Sequence, residues 1–143
     1  MKPKLLLRIA CVIIFLHAIG HTIGVYTWKD PKSLVPQQVI DQMTEQKFIF
    51  MGTNATMATF YEGFGYASTI AMLLVVGILW IIGGAAEKNA SLSAKILWPV
   101  AVFLFLTGIV EIIYFFPMAV AFSFLALLLT VISILKLNKS TTE

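Results

Sequence analysis

Residues 96–137 read ILWPVAVFLFLTGIVEIIYFFPMAVAFSFLALLLTVISILKL. This apolar run is almost unbroken and roughly twice as long as one helix needs to cross a bilayer. Its decisive breaker is Pro117. Proline removes a backbone donor and clashes with the preceding turn, yet it suits the first turn of a new helix. The run therefore divides at Tyr114-Phe115-Phe116-Pro117 into helices over 96–116 and 118–137 joined by a very tight turn. Outward from this hairpin lie two more runs of spanning length, 56–83 and 5–26, with most of the polar residues between them. The expectation is an all-α polytopic membrane protein. It is a single domain over 1–143, a four-transmembrane-helix bundle with a short amphipathic helix in its first outer loop, 27–55.

Composition agrees. Of 143 residues, 59% are hydrophobic and 12% charged, with mean hydropathy +0.93. Soluble domains are about 45–50% apolar and about 25% charged. A domain of roughly 150 residues buries only about 70% of its extended-chain surface, so this excess would face water. An ordinary soluble enzyme, a disordered chain and a nucleic-acid binder are excluded. The lone Cys11 rules out an intrachain disulfide and any CxxC motif. It reads as a small apolar helix residue. A lipidation site there is disfavoured by Arg8, three residues upstream. Lys2, Lys4 and Arg8 resemble the basic start of a signal peptide, but the apolar run after them is too long and lacks a small-x-small exit. The first run reads as a retained span.

Charge orients the spans. Lys2, Lys4, Arg8, Lys88, Lys95, Lys136 and Lys139 fall on one side. On the other, Lys29, Lys32 and Lys47 are nearly balanced by Asp30, Asp41 and Glu45. The positive-inside rule then puts both termini in the cytoplasm and the long loop outside. In that loop Pro36 opens a helix through Lys47, with Val39, Ile40 and Met43 on one face and Gln37, Asp41 and Glu45 on the other. Such a segment either lies on the membrane surface or packs on the bundle.

Charge at bilayer depth is costly, so the few ionisable residues inside the spans carry the information. They are His17 and His21 in the first span, Glu62 in the second and Glu111 in the third. Counting about 1.5 Å per residue from the outer span ends places His21, Glu62 and Glu111 roughly 6–9 Å below the outer edge, with His17 one turn deeper. His17, Gly20, His21, Gly24 and Trp28 share one helical face. Gly20-His21-Thr22-Ile23-Gly24 is also a GxxxG pattern, which permits close helix approach. Glu62 shares a face with Tyr66, and span four offers Ser123, Thr130 and Ser133. With these stripes turned inward, two imidazoles and two carboxylates would meet in one outward-opening pocket, with Tyr61, Tyr66, Tyr114 and Trp28 near its mouth.

Each residue also has a structural explanation. Thr59-Phe60-Tyr61-Glu62 matches a capping box, which would commit Glu62 to its own helix start. If the helix begins at Asn54, a natural N-cap, Glu62 is released from that role. The histidines could bond helix carbonyls or carboxylates as interhelical ties. Glu111, flanked by Gly108-Ile109-Val110 and Ile112-Ile113, must be protonated or paired across helices, with His21 as the partner at matching depth.

Three functional classes fit. His17, His21, Glu62 and Glu111 could form a four-ligand N/O set for a divalent metal. Alternatively, an apolar pocket with a few convergent polar groups suits a quinone or lipid entering from the bilayer, with or without acid–base chemistry. Third, the chain could be a non-catalytic accessory subunit of a membrane complex or a homo-oligomer, its polar cluster serving as glue. Whether it is an enzyme stays open at this point.

With these motifs in place, the chain resembles the small bacterial four-helix membrane proteins grouped as DoxX-like. The resemblance covers the four-span layout, His17-Ala18-Ile19-Gly20-His21-Thr22-Ile23-Gly24, and the Phe115-Phe116-Pro117 hairpin. The first motif followed by Thr27-Trp28-Lys29, and Phe60-Tyr61-Glu62-Gly63, also resemble a set of uncharacterised bacterial proteins of similar length. Some DoxX-type proteins are subunits of quinone-linked oxidoreductases, so the resemblance implies a quinone association and a bacterial inner-membrane location. The architecture is also similar to that of emopamil-binding-protein relatives, whose sterol pockets use membrane-embedded His and Glu. No residue role is carried over from either group.

Overall fold

A computed structural model describes residues 1–32 and 34–139. Its elements are α1 (Pro3–Thr27), α2 (Gln37–Glu45), β1 (Phe48–Phe50), β2 (Thr53–Ala55), α3 (Met57–Ala85), α4 (Ala90–Tyr114) and α5 (Pro117–Lys139). Four of them, α1, α3, α4 and α5, are long and apolar enough to cross a membrane. Even the shortest, with 23 residues, extends about 35 Å against a hydrocarbon core of about 30 Å. The chain is therefore a multi-pass, all-α membrane protein. Its contacts divide it into two compact units: residues 1–17 with the chain from 72 onward, and residues 18–71.

The first unit is built on the α4–α5 hairpin. Only Phe115 and Phe116 separate the two helices. The Phe115 amide closes α4 on the Glu111 carbonyl (2.9 Å), and Pro117 opens α5. Along α4 the buried positions are Ser93, Ala94, Leu97, Val100, Ala101, Leu104, Gly108 and Glu111, one helical stripe. Along α5 they include Ala119, Ser123, Ala126, Thr130 and Ser133. A seam of small residues lets helix backbones approach where no hydrophobic effect drives them together. Thr130 and Ser133 satisfy their hydroxyls by donating to the carbonyls of Ala126 and Leu129, each at 2.8 Å. On α1, Leu6, Leu7, Ala10, Cys11 and Ile14 are buried, and the Arg8 guanidinium lies over the Trp80 ring at 3.2 Å.

The second unit holds the rest of α1, the loop and the start of α3. Trp28, Ile40 and Ala58 form its core, with Val35 and Met43 against them. The α2 apolar face is thus used in packing on the protein itself. The helix stops at Glu45, earlier than the expected Lys47. A β-hairpin follows that the sequence reading does not anticipate. Its register pairs Phe48 with Ala55 and Phe50 with Thr53. Met51 (φ 50°) and Gly52 (φ 81°) make its two-residue turn, both left-handed as a type I′ hairpin demands. Met-Gly in place of Asn-Gly hid this signal.

Two further differences concern helix starts. Helix α4 begins at Ala90, not near 96, because Ser91, Ser93 and Lys95 extend its first turns although their polarity reads as a link. At α3 the capping box lies between Thr56 and Thr59. The Thr59 amide donates to Thr56 Oγ1 (3.2 Å) and the Thr56 amide donates to Thr59 Oγ1 (3.1 Å). Neither Asn54 nor the Thr59–Glu62 pair caps the helix, and Glu62 is released from that role.

The GxxxG pattern is also reassigned. A Cβ added at Gly20 or Gly24 would meet nothing within 4 Å, and both residues are exposed. The glycine that permits close approach in this unit is Gly65 of α3, where a Cβ would sit 2.5 Å from Val25 Cγ2. Gly20→Ala and Gly24→Ala are therefore expected to be neutral or to stabilise by up to about 1 kcal/mol through helix propensity. Resistance to unfolding in mixed detergent micelles checks this, and a marked loss of stability would return the packing role to the GxxxG face.

Candidate functional site

In the first unit, α1 delivers His17, α4 delivers Glu111, and α5 delivers Phe122 and Ser123. His17 Nε2 lies 3.5 Å from Glu111 Oε1, with the two side chains only 9% and 6% exposed. Phe122 stacks on the imidazole at 5.4 Å between centroids and 21° between planes, fixing one face of the ring. The second carboxyl oxygen, Glu111 Oε2, is buried without a hydrogen-bond partner among the described residues, and so is Ser123 Oγ. The Ser123 hydroxyl lies beside this carboxyl, close enough to act on it, but their geometry does not complete a hydrogen bond. Thr130 and Ser133 on the same helix bond back to their own backbone, so Ser123 is the exception on its stripe. A buried polar atom left unsatisfied costs about 1–3 kcal/mol. Two such atoms side by side are completed either by a small rotation that bonds them to each other or by another polar group that reaches both.

In the second unit, Glu62 Oε1 accepts from Lys29 Nζ at 2.6 Å and from Trp28 Nε1 at 3.1 Å. Trp28 is buried, and Tyr61 lies against it at 5.0 Å. Lys29 and Glu62 are 43% and 29% exposed, so this ion pair is a modest surface interaction of about 0–1 kcal/mol. His21 Nε2 lies 3.1 Å from the Gly65 carbonyl, to which the ring N–H donates. Thr22 and Thr69 hydroxyls meet at 3.1 Å, and Thr69 Oγ1 also donates to the Gly65 carbonyl at 3.3 Å. Gly65 is what allows α1 close enough for these bonds.

The expected site residues thus separate by partner. Glu111 pairs with His17 and not with His21, which bonds backbone. Glu62 joins Trp28 but takes its charge partner from Lys29. Tyr66 and Tyr114 are exposed, at 44% and 75%. Among the described residues, no three His, Cys, Asp or Glu side chains group so as to hold one metal ion. Sequence reasoning missed Lys29 as the partner of Glu62, reading it only as a loop charge. A long cationic side chain at a span end that snorkels back to a carboxylate was the available signal. Ser123 was noted only as weak polar company, and nothing in its residue type announced an unsatisfied hydroxyl.

Compared with known proteins, the chain matches no family model, no curated protein and no solved structure.

Proposed function

We propose that this protein binds a small apolar molecule with a polar head, a quinone or a lipid, at the His17–Glu111–Ser123 cluster. The observation that carries the reading is the pair of buried, unpartnered oxygens, Glu111 Oε2 and Ser123 Oγ, beside a paired imidazole. An apolar surround with a few convergent polar groups suits such a ligand. The polar head would complete both oxygens, and Phe122 would border it. The DoxX-like resemblance points to a quinone among these molecules. The same reading takes the bacterial inner membrane as the location, with both termini cytoplasmic as the distribution of lysines and arginines favours. The metal reading would need the two histidines and two glutamates to converge, and their present partners do not favour that.

A second reading, an accessory subunit whose polar residues serve as ties, is favoured at Glu62 and His21. Their polar atoms are engaged by Lys29, Trp28 and the Gly65 carbonyl. The test is to purify the wild-type chain in mild detergent, extract it with organic solvent and identify stoichiometric small molecules by mass spectrometry. Glu111→Gln and Ser123→Ala are expected to lower retention roughly tenfold or more by removing a buried hydrogen bond each. Equal ligand content in wild type and Glu111→Gln would overturn the binding reading in favour of the accessory one.

A further inference from the structure

The end of the first unit that carries the start of α1, the end of α3 and the end of α5 holds an open cleft of about 710 Å³. Pro3, Ala86 and Leu137 form its floor, of which Ala86 and Leu137 are buried. Lys2, Lys136 and Lys139 line it together with Glu87, and Lys139 also has an interaction of its own. Lys136 and Lys139 are three apart on α5 and share a helical face. No ion pair neutralises Lys2 or Lys136 among the described residues. Met1, Lys2 and Pro3, at the start of the 25-residue α1, line the same place.

We propose that this cleft binds the phosphate of an anionic phospholipid. Lysines that merely mark topology need no concavity, and here a concavity lies among three of them. Basic pockets between transmembrane helices are the form in which anionic headgroups are held. The cleft also lies where helix ends meet the headgroup layer. Its apolar floor suits the glycerol region, and the lipid-facing helix surfaces beyond it suit the acyl chains. This site is separate in residues from the His17–Glu111–Ser123 cluster, and the two proposals stand or fall independently.

The test uses the full chain in nanodiscs of phosphatidylcholine with phosphatidylglycerol added, followed by release into mild detergent and native mass spectrometry. Wild type is expected to retain phosphatidylglycerol in preference to phosphatidylcholine. The combined Lys2→Gln, Lys136→Gln and Lys139→Gln variant is expected to lose that preference roughly tenfold or more. A control variant, Lys88→Gln with Lys95→Gln, removes two exposed lysines placed on the same side by sequence that do not line the cleft. It should retain the lipid as wild type does. Equal losses in both variants would overturn the proposal, because diffuse surface charge would then suffice. Displacement of the lipid by inorganic phosphate alone would overturn the lipid assignment and point to a soluble phosphate. All substituted lysines are exposed, so helix content by circular dichroism should be unchanged throughout.

Discussion

Gly65→Ala is expected to destabilise the fold by about 1–3 kcal/mol, the cost of forcing an extra carbon into a filled space. The added Cβ would lie 2.5 Å from Val25 Cγ2, 2.9 Å from Cγ1 and 3.3 Å from Cβ. Val25 is 5% exposed and β-branched, so it has few rotamers by which to move aside. The only large relief is separation of the helices, which would stretch the His21 bond to the Gly65 carbonyl and the Thr22–Thr69 contact. The double variant Gly65→Ala with Val25→Ala removes both methyls and should recover most of the loss. Gly108→Ala is the informative contrast. There the added Cβ meets the Phe124 ring at 2.7 Å, the far end of a side chain that can rotate, so the loss should be smaller. Unfolding in increasing denaturing detergent, followed by circular dichroism, ranks the three. If Gly65→Ala matches wild type, the close approach of α1 at this position is wrong.

The second large effect concerns the buried pair. His17→Phe alone and Glu111→Leu alone are each expected to cost about 3 kcal/mol or more, because each strands the other partner in an apolar interior. The double variant His17→Phe with Glu111→Leu should lie close to wild type or above it, since a buried polar pair replaced by apolar residues of similar size is often neutral or stabilising. The same double variant should retain none of the ligand. That outcome would separate the two roles: the pair costs the fold little as a unit and serves binding. Additive losses in the double variant, measured as a double-mutant cycle, would instead make the pair an adhesive of the bundle.

The spans and the hairpin were legible because membrane helices must be long, apolar and internally bonded. Pro117 alone was enough to divide the last run, and the helix pair meets within two residues of where it was expected. The boundary at Ala90 was not legible, since exposed Ser91 and Lys95 obey helix geometry while reading as a link. The β-hairpin was missed for a similar reason: Met51 adopts a left-handed conformation that its residue type does not advertise. The candidate site was half legible. Scarcity of charge singled out Glu111, His17, His21 and Glu62. Pairing was not, because counting depth from helix ends assumes that all helices end at one level. His17 lies ten residues before the end of α1 and Glu111 three before the end of α4, yet they meet. The GxxxG motif misled because spacing states where glycines are, not which face a neighbour occupies, and it was Gly65 outside any motif that a neighbour approached.

The two-residue turn at Phe115 and Phe116 has a consequence for biogenesis. So short a connection is expected to make α4 and α5 enter the bilayer as one unit. Glu111 and Ser123 both lie on buried stripes of that pair, and on that route the carboxyl would enter the membrane turned toward a hydroxyl rather than toward lipid. A chain terminated at Phe116 would have to insert α4 with Glu111 unshielded on that side. Its yield in the membrane should fall well below that of a chain carrying both helices.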